Sequence, residues 1–185
     1  MKVQPVLTTQ RLILRPFEIS DAAEVQTLAG ERAIAEMTLE IPHPYDIQTA
    51  ERWITGLPAK FESGEQAVFA VTLRESAYVA GAVGLELTPR FDRAELGYWI
   101  AREHWGKGYA TEAAQAVISY GFTSLSLHRI HATPFKRNPA SARVLQKLGM
   151  KHEGRAREHV KKWGVFEDLE LYGILCAEWQ GRNPS

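Results

Sequence analysis

The chain has 185 residues, 45% of them hydrophobic, and its 22 lysine and arginine residues balance 22 aspartate and glutamate residues. This length and apolar content predict a single domain over residues 1–185 with one substantial core. The balanced charge excludes a global basic field of the kind that draws proteins to nucleic acid or anionic membranes. No apolar run approaches the ~20 residues that span a bilayer, and the first residues lack an apolar signal core, so a cytoplasmic protein is expected.

The first half of the chain predicts a strand, two helices and then three strands. Residues 11–15 form the strand, and the cap residues Ser20 and Asp21 precede a helix over 22–28. Asp46 begins a second helix, which Pro58 and Gly64 are expected to interrupt. Extended runs at 67–73, 79–87 and 93–100 are close enough along the chain to predict an antiparallel meander.

A loop with two closely spaced glycines follows the last of these runs. It reads Arg102-Glu-His-Trp-Gly-Lys-Gly-Tyr-Ala-Thr-Glu112 and leads into a helix over residues 110–121. Gly106 and Gly108 can adopt positive φ and bring the backbone close to a ligand. Because the next helix directs unpaired N–H groups and the positive end of its dipole at this loop, the segment predicts a phosphate site.

The remaining elements predict a mixed α/β domain. Residues 128–133 form a strand, Asn138 and Pro139 begin a helix that Gly149 ends, and extended runs follow at 155–161 and 166–177. A dinucleotide fold would carry three glycines in its first β–α turn. A nucleotide P-loop would place Gly-Lys-Ser/Thr before the helix, whereas Lys107 precedes the second glycine here. Both nucleotide classes are therefore excluded by context.

Three motifs in order resemble the GNAT family of N-acetyltransferases, and within it the RimJ/RimL-like branch of ribosomal-protein N-terminal acetyltransferases. They are Ala94-Glu-Leu-Gly-Tyr-Trp-Ile100, Trp105-Gly-Lys-Gly-Tyr-Ala-Thr-Glu-Ala113 and Asn138-Pro-Ala-Ser-Ala-Arg-Val-Leu-Gln-Lys-Leu-Gly149. The resemblance covers almost the whole chain. It implies a mostly antiparallel central sheet flanked by helices, with splayed central strands that form an acetyl-CoA cleft.

The resemblance implies acetyl-CoA as the co-substrate. Its pyrophosphate would bind backbone N–H groups from about Trp105 to Ala110 and the hydroxyl of Thr111, while the pantetheine would pair with the strand at Tyr98 to Ile100. The implied coenzyme-binding residues are Tyr98, Trp99, Ile100, Trp105, Gly106, Lys107, Gly108, Tyr109, Ala110, Thr111, Asn138 and Ser141. Glu103 departs from the Gln or Arg usual in the family, so its side chain is expected to turn away from the phosphates.

Glu95 and Ser141 are the expected catalytic residues. Glu95 would remove the proton of the attacking amine, directly or through water, and the alternative is that it only binds the positively charged substrate. Ser141 would donate a hydrogen bond to the departing sulfur, and the alternative is a local cap of its helix. The tyrosine that the wider family uses for this purpose is replaced by Leu145. Asn138 is expected to cap the helix and to contact the pantetheine.

The acceptor amine is open at this stage. A protein N-terminal α-amino group, attacking directly in a ternary complex, demands less of the enzyme than lysine because its pKa is ~7.7–8.0 rather than ~10.4. The alternatives are a small-molecule amine, such as an amino acid, polyamine or antibiotic, and a silent acyl-CoA-binding module. Segments 31–45 and 155–165 are expected to line the acceptor pocket. The six histidines show no metal-ligand spacing, so no metal is expected, and exposed sheet edges are compatible with a homodimer.

Overall fold

The computed structural model describes residues 3–182, which form one eight-stranded sheet with helices on both faces. The strands are β1 (Leu7–Thr8), β2 (Leu12–Arg15), β3 (Gln66–Leu73), β4 (Val79–Thr88), β5 (Arg93–Ile100), β6 (Arg129–Ala132), β7 (Lys151–Lys162) and β8 (Val165–Leu175). The helices are α1 (Ala22–Ala29), α2 (Arg32–Ala35), α3 (Ile47–Ser63), α4 (Tyr109–Thr123), α5 (Pro139–Lys147) and α6 (Cys176–Arg182). None of these helices is both long and apolar enough to cross a membrane.

The sheet has the strand order β1-β2-β3-β4-β5-β6-β8-β7, and within residues 3–182 only the β5–β6 pair is parallel. The predicted meander of β3, β4 and β5 is confirmed with full antiparallel register. A parallel pair requires a crossover connection, and α4 supplies it between β5 and β6. The mixed, mostly antiparallel α/β fold is therefore confirmed.

The parallel strands β5 and β6 part after three residues. Their register pairs Arg93 with Arg129 and ends where Glu95 lies opposite His131. From Leu96 to Ile100, β5 keeps its antiparallel partner β4 on one side, and no described strand pairs with it on the other. The splayed central strands are confirmed, and their separation leaves a cleft beside the second half of β5.

Two apolar cores lie on opposite faces of the sheet. The larger core packs α4 against the strands, and the small residues Ala113, Ala114 and Gly121 let this helix approach closely. At Gly121 an added Cβ would lie 2.9 Å from Ile130 Cδ1, which is shorter than any van der Waals contact. On the other face, α1 and α3 pack against β3 and β4. The close packing of α4 fixes the loop at its N-terminus relative to the cleft.

Two predicted elements were wrong in their extent. Helix α3 continues through Pro58 to Ser63, because Pro58 is exposed and the buried Leu57 and partly buried Phe61 keep the helix packed. The helix ends at Gly64, which has φ +76°. The final extended run stops at Leu175, since Cys176 begins α6. Strand β1 and the short α2 were not predicted.

Candidate active site

The glycine loop presents a run of free backbone donors. Gly106 and Gly108 have φ values of +75° and +83°, as predicted for residues that turn the backbone sharply towards a ligand. Among the described residues, no acceptor is bonded to the N–H groups of residues 106–111. These donors converge at the start of a fifteen-residue helix, where the helix dipole favours an anion.

Trp105 serves this loop differently from what the sequence indicated. Its backbone N–H already donates to the carbonyl of Arg102 at 3.1 Å, so it is not a free donor. Its indole Nε1 donates to the carbonyl of Ile100 at 2.6 Å, which ties the loop to the end of β5. Glu103 has a 71% exposed side chain that lies 3.2 Å from His104 Nε2, consistent with the expectation that it turns outward.

The turn between β1 and β2 is bonded to the first turn of α4 and to the glycine loop. This set of contacts, here named the loop brace, was not predicted from the sequence. The Glu112 carboxylate accepts hydrogen bonds from Thr9 Oγ1 at 2.7 Å and from Arg11 N at 2.8 Å, and it pairs with the Arg11 guanidinium at 2.7 Å. The same guanidinium donates to the carbonyl of Lys107 at 2.9 Å and lies over the ring of Tyr109. Burial favours the neutral acid, but the bonds from Thr9 and Arg11 prevail and lower the pKa of Glu112.

Glu95 lies at the point where β5 and β6 separate. One of its carboxylate oxygens accepts a hydrogen bond from the Thr133 hydroxyl, and the other lies 3.7 Å from Nε2 of His131. Burial lowers the pKa of His131, although the charge of Glu95 opposes this, so the imidazole is neutral at pH 7. The Glu95 side chain is 42% exposed. A fixed, accessible carboxylate can accept a proton.

Three residues that were predicted to contact the coenzyme, Tyr98, Asn138 and Ser141, lie together in the structure. Asn138 caps α5 by accepting from the Ser141 N–H at 3.1 Å, which confirms the predicted cap. The Ser141 hydroxyl lies 2.7 Å from the Tyr98 hydroxyl, so it is engaged with β5 and not with the helix start. Burial raises the pKa of Tyr98 to about 12. Leu145, at the position of the family tyrosine, is fully buried in the core and has no access to the cleft.

Glu95 and Ser141 lie on opposite sides of β5. Glu95, Gly97 and Trp99 project from one face of the strand and Tyr98 from the other, as the two-residue period of a strand requires. Trp99 packs with the α1 and α3 core, whereas Tyr98 packs with the α4 core. Gly97 is exposed, and a Cβ added there would meet no atom within 4 Å. The face that carries Glu95 therefore has an open space beside the carboxylate.

The two segments expected to line the acceptor pocket are joined. The buried Lys162 ammonium donates to the carbonyls of Leu39 at 3.0 Å and Ile41 at 2.7 Å. Arg137 pairs with Glu167 at 2.8 Å and donates to the carbonyl of Glu36 at 2.5 Å. These contacts fix the connection between α2 and α3 against the β7–β8 hairpin. Sequence reasoning named the two segments but not the residues that join them.

Comparison with known proteins agrees with this architecture. The family model described as an acetyltransferase (GNAT) domain matches residues 11–151. The chain is 33% identical over 176 residues to the uncharacterized N-acetyltransferase p20 of Bacillus licheniformis, covering 95% of this chain and 98% of that protein. It is 36% identical over 106 residues to YdaF of Bacillus subtilis (strain 168), a candidate ribosomal N-acetyltransferase, covering 57% and 58% of the two chains.

Two further similarities concern a polyamine enzyme and a coenzyme complex. The spermidine N(1)-acetyltransferase of Vibrio cholerae is 25% identical over 173 residues, covering 94% of this chain and 98% of that protein. RimJ of Mycobacterium smegmatis, solved in complex with CoA-disulfide, superimposes with a TM-score of 0.85 at 24% identity, covering 98% and 90% of the two chains. The chain belongs to the GNAT family and is an acetyl-CoA-dependent N-acetyltransferase.

Proposed function

We propose that this enzyme transfers the acetyl group of acetyl-CoA to the N-terminal α-amino group of a protein, by direct attack in a ternary complex. The observation that carries the proposal is the free edge of β5. It runs from Ile100, whose carbonyl accepts from the indole of Trp105 just before the free N–H groups of residues 106–111, to Glu95 at the point of separation. Five residues of strand span about 17 Å, so an extended coenzyme arm that starts at the loop ends beside Glu95.

The coenzyme binds through backbone groups in this proposal. Free N–H groups of the loop and the first turn of α4 hold the pyrophosphate, and the Thr111 hydroxyl adds a donor. The pantetheine amides pair with Tyr98 to Ile100 as an additional strand would. The second role expected for Asn138 is a hydrogen bond from its carboxamide nitrogen to the same arm, since its oxygen is engaged as the cap.

Glu95 acts as the base. The amine nitrogen attacks the thioester carbonyl, a C–N bond forms, and the amine proton passes to the Glu95 carboxylate, directly or through one water. Thr133 holds one carboxylate oxygen, which leaves the other for the proton. The C–S bond then breaks and its electron pair goes to sulfur. Ser141 donates a hydrogen bond to that sulfur, and CoA leaves as a thiolate that needs little protonation because a thiol pKa is ~8.5.

The α-amino group suits a site with one carboxylate base. At pH 7 a substantial minority of α-amino groups are already neutral, whereas a lysine side chain is neutral less than about once in a thousand. The partial similarity to YdaF, a candidate ribosomal N-acetyltransferase, supports a ribosomal acceptor over a small molecule. A small polyamine is the second candidate, and the similarity to the spermidine enzyme over nearly the whole chain supports it.

Mass spectrometry distinguishes these acceptors. The enzyme and acetyl-CoA are incubated with a lysine-containing peptide whose N-terminus is free, with the same peptide blocked at the N-terminus, and with spermidine. The proposal predicts one acetyl group on the α-amine of the free peptide and none on the blocked peptide. Acetylation of spermidine alone would contradict it in favour of the small-amine candidate. If no amine in a broader panel is acetylated, the roles of Glu95 and Ser141 in acetyl transfer would be contradicted.

A further inference from the structure

The hydroxyl groups of Tyr98 and Ser141 form a hydrogen-bonded pair across the coenzyme side of the cleft. Their oxygens are 2.7 Å apart, and the Tyr98 oxygen also lies 3.4 Å from the Ser141 carbonyl. The Tyr98 hydroxyl has a single proton, and the Ser141 hydroxyl oxygen is much the nearer of these two acceptors, so the distances favour donation from Tyr98 to Ser141 Oγ. A phenol is also a better donor than an aliphatic alcohol, because its ordinary pKa is only about 10.

Ser141 would lack a fixed hydroxyl direction without this partner. Serine near a helix start readily bonds to backbone groups of its own helix. The helix does not require the Ser141 hydroxyl, since the Asn138 side chain already caps the Ser141 N–H. A hydrogen bond donated by Tyr98 occupies one lone pair of the Ser141 oxygen. The Ser141 hydroxyl proton is then free to be donated to another acceptor.

We propose that Tyr98 is a positioning residue that holds the Ser141 hydroxyl so that its proton points to the sulfur of acetyl-CoA. This inference rests on the proposed role of Ser141. Tyr98 transfers no proton, and it remains a donor throughout the neutral range because burial raises its pKa to about 12. The backbone of Tyr98 belongs to the free edge of β5, so one residue both pairs with the coenzyme arm and directs the hydroxyl beside its end.

A double-mutant cycle tests the pair. Tyr98→Phe keeps the ring that packs against the core and removes only the hydroxyl. The substitution should lower kcat about tenfold, which corresponds to about 1.4 kcal/mol and matches the loss of one hydrogen bond. The KM for acetyl-CoA should stay within about twofold of the wild-type value. Ser141→Ala should lower kcat by at least as much. Tyr98→Phe/Ser141→Ala should be no slower than Ser141→Ala alone, because Tyr98 acts only through Ser141.

Tyr172→Phe is the matched control. Its hydroxyl also reaches α5, at 3.5 Å from Gln146 Nε2, but does not contact Ser141, so its kcat should match that of the wild type. Melting curves of all variants separate lost folding from lost turnover. The inference is overturned if Tyr98→Phe turns over at the wild-type rate, or if the two single losses multiply in the double variant. If Ser141→Ala slows turnover and Tyr98→Phe does not, only this inference fails. If Ser141→Ala keeps the full kcat, both the proposed role of Ser141 as donor to the sulfur and the positioning role of Tyr98 are contradicted.

Discussion

On the coenzyme side of the cleft, the proposed ligand contacts are mostly consecutive backbone N–H groups of residues 106–111. On the acceptor side they are side chains from separate segments, with Glu95 on β5, Thr133 after β6, and the connection between α2 and α3 held by Lys162. Backbone donors are the same in every sequence, so this loop needs only glycines and a helix to work. The acceptor side depends on the identity of each side chain, and this difference explains why a family can keep one coenzyme and change the amine.

Removal of the proposed base should have the largest effect. Glu95→Gln keeps the shape of the side chain but cannot take the amine proton, so kcat should fall about 100-fold or more while the KM for acetyl-CoA changes little. Steady-state kinetics with a peptide acceptor measures both. Glu86→Gln is the control, because Glu86 is the exposed cross-strand partner of Glu95 on β4. An effect confined to the KM of the amine would make Glu95 a substrate anchor.

Distortion of the glycine loop should weaken coenzyme binding and leave the acceptor side intact. Gly108→Val places a β-branched residue at φ +83° and should weaken CoA binding about 100-fold in calorimetry, because the loop must turn its donors away. Gly64→Val at the end of α3 introduces similar strain at φ +76°, far along the chain from the loop. That control should lose stability but bind CoA normally. Equal affinities for the wild type and Gly108→Val would rule out the loop as the pyrophosphate site.

Filling the open space on β5 should affect the acceptor side alone. Gly97→Val adds a side chain where no protein atom lies within 4 Å of the new Cβ, so the fold should tolerate it. The KM for the peptide amine should rise about tenfold, because the valine side chain would occupy space that the acceptor uses beside Glu95. The affinity for CoA should stay unchanged. If CoA affinity falls instead, the coenzyme and not the amine occupies that face.

Weakening of the loop brace should give the smallest effect. Glu112→Gln retains part of the hydrogen bonding to Thr9 and Arg11, so the KM for acetyl-CoA should rise only a few-fold, as expected for a partly exposed charge interaction. Because the folded protein lowers the pKa of Glu112, its carboxylate stabilises the fold above its unfolded pKa of ~4.3, and that stabilisation is lost as pH falls through the folded pKa.

Melting temperatures measured from pH 7 down to about pH 3 check this sign. The wild type should lose its advantage over Glu112→Gln as the pH falls through this range. A constant difference between the two proteins at all pH values would mean that the Glu112 charge does not stabilise the loop.

The coenzyme side was the more predictable from sequence, for a physical reason. Gly106, Gly108, Asn138 and Pro139 fix backbone geometry within a few residues, so their positions in the chain reveal the loop and the cap. The Arg11–Glu112 brace joins residues 101 apart in the chain, and the Lys162 contacts join residues more than 120 apart. No local pattern encodes such pairs. The Tyr98–Ser141 bond was missed for the same reason, although both residues were named.

The parting of β5 and β6 leaves a sheet edge in the middle of the fold instead of at its border. Unpaired edges invite association with other chains, and this one is rich in apolar residues. A coenzyme arm that completes the ladder would also protect it. Acetyl-CoA should therefore slow amide hydrogen exchange at Tyr98 to Ile100, raise the melting temperature and suppress aggregation of the purified enzyme. In this enzyme the co-substrate would thus also stabilise the fold. When acetyl-CoA is depleted, the protein would unfold and aggregate more readily.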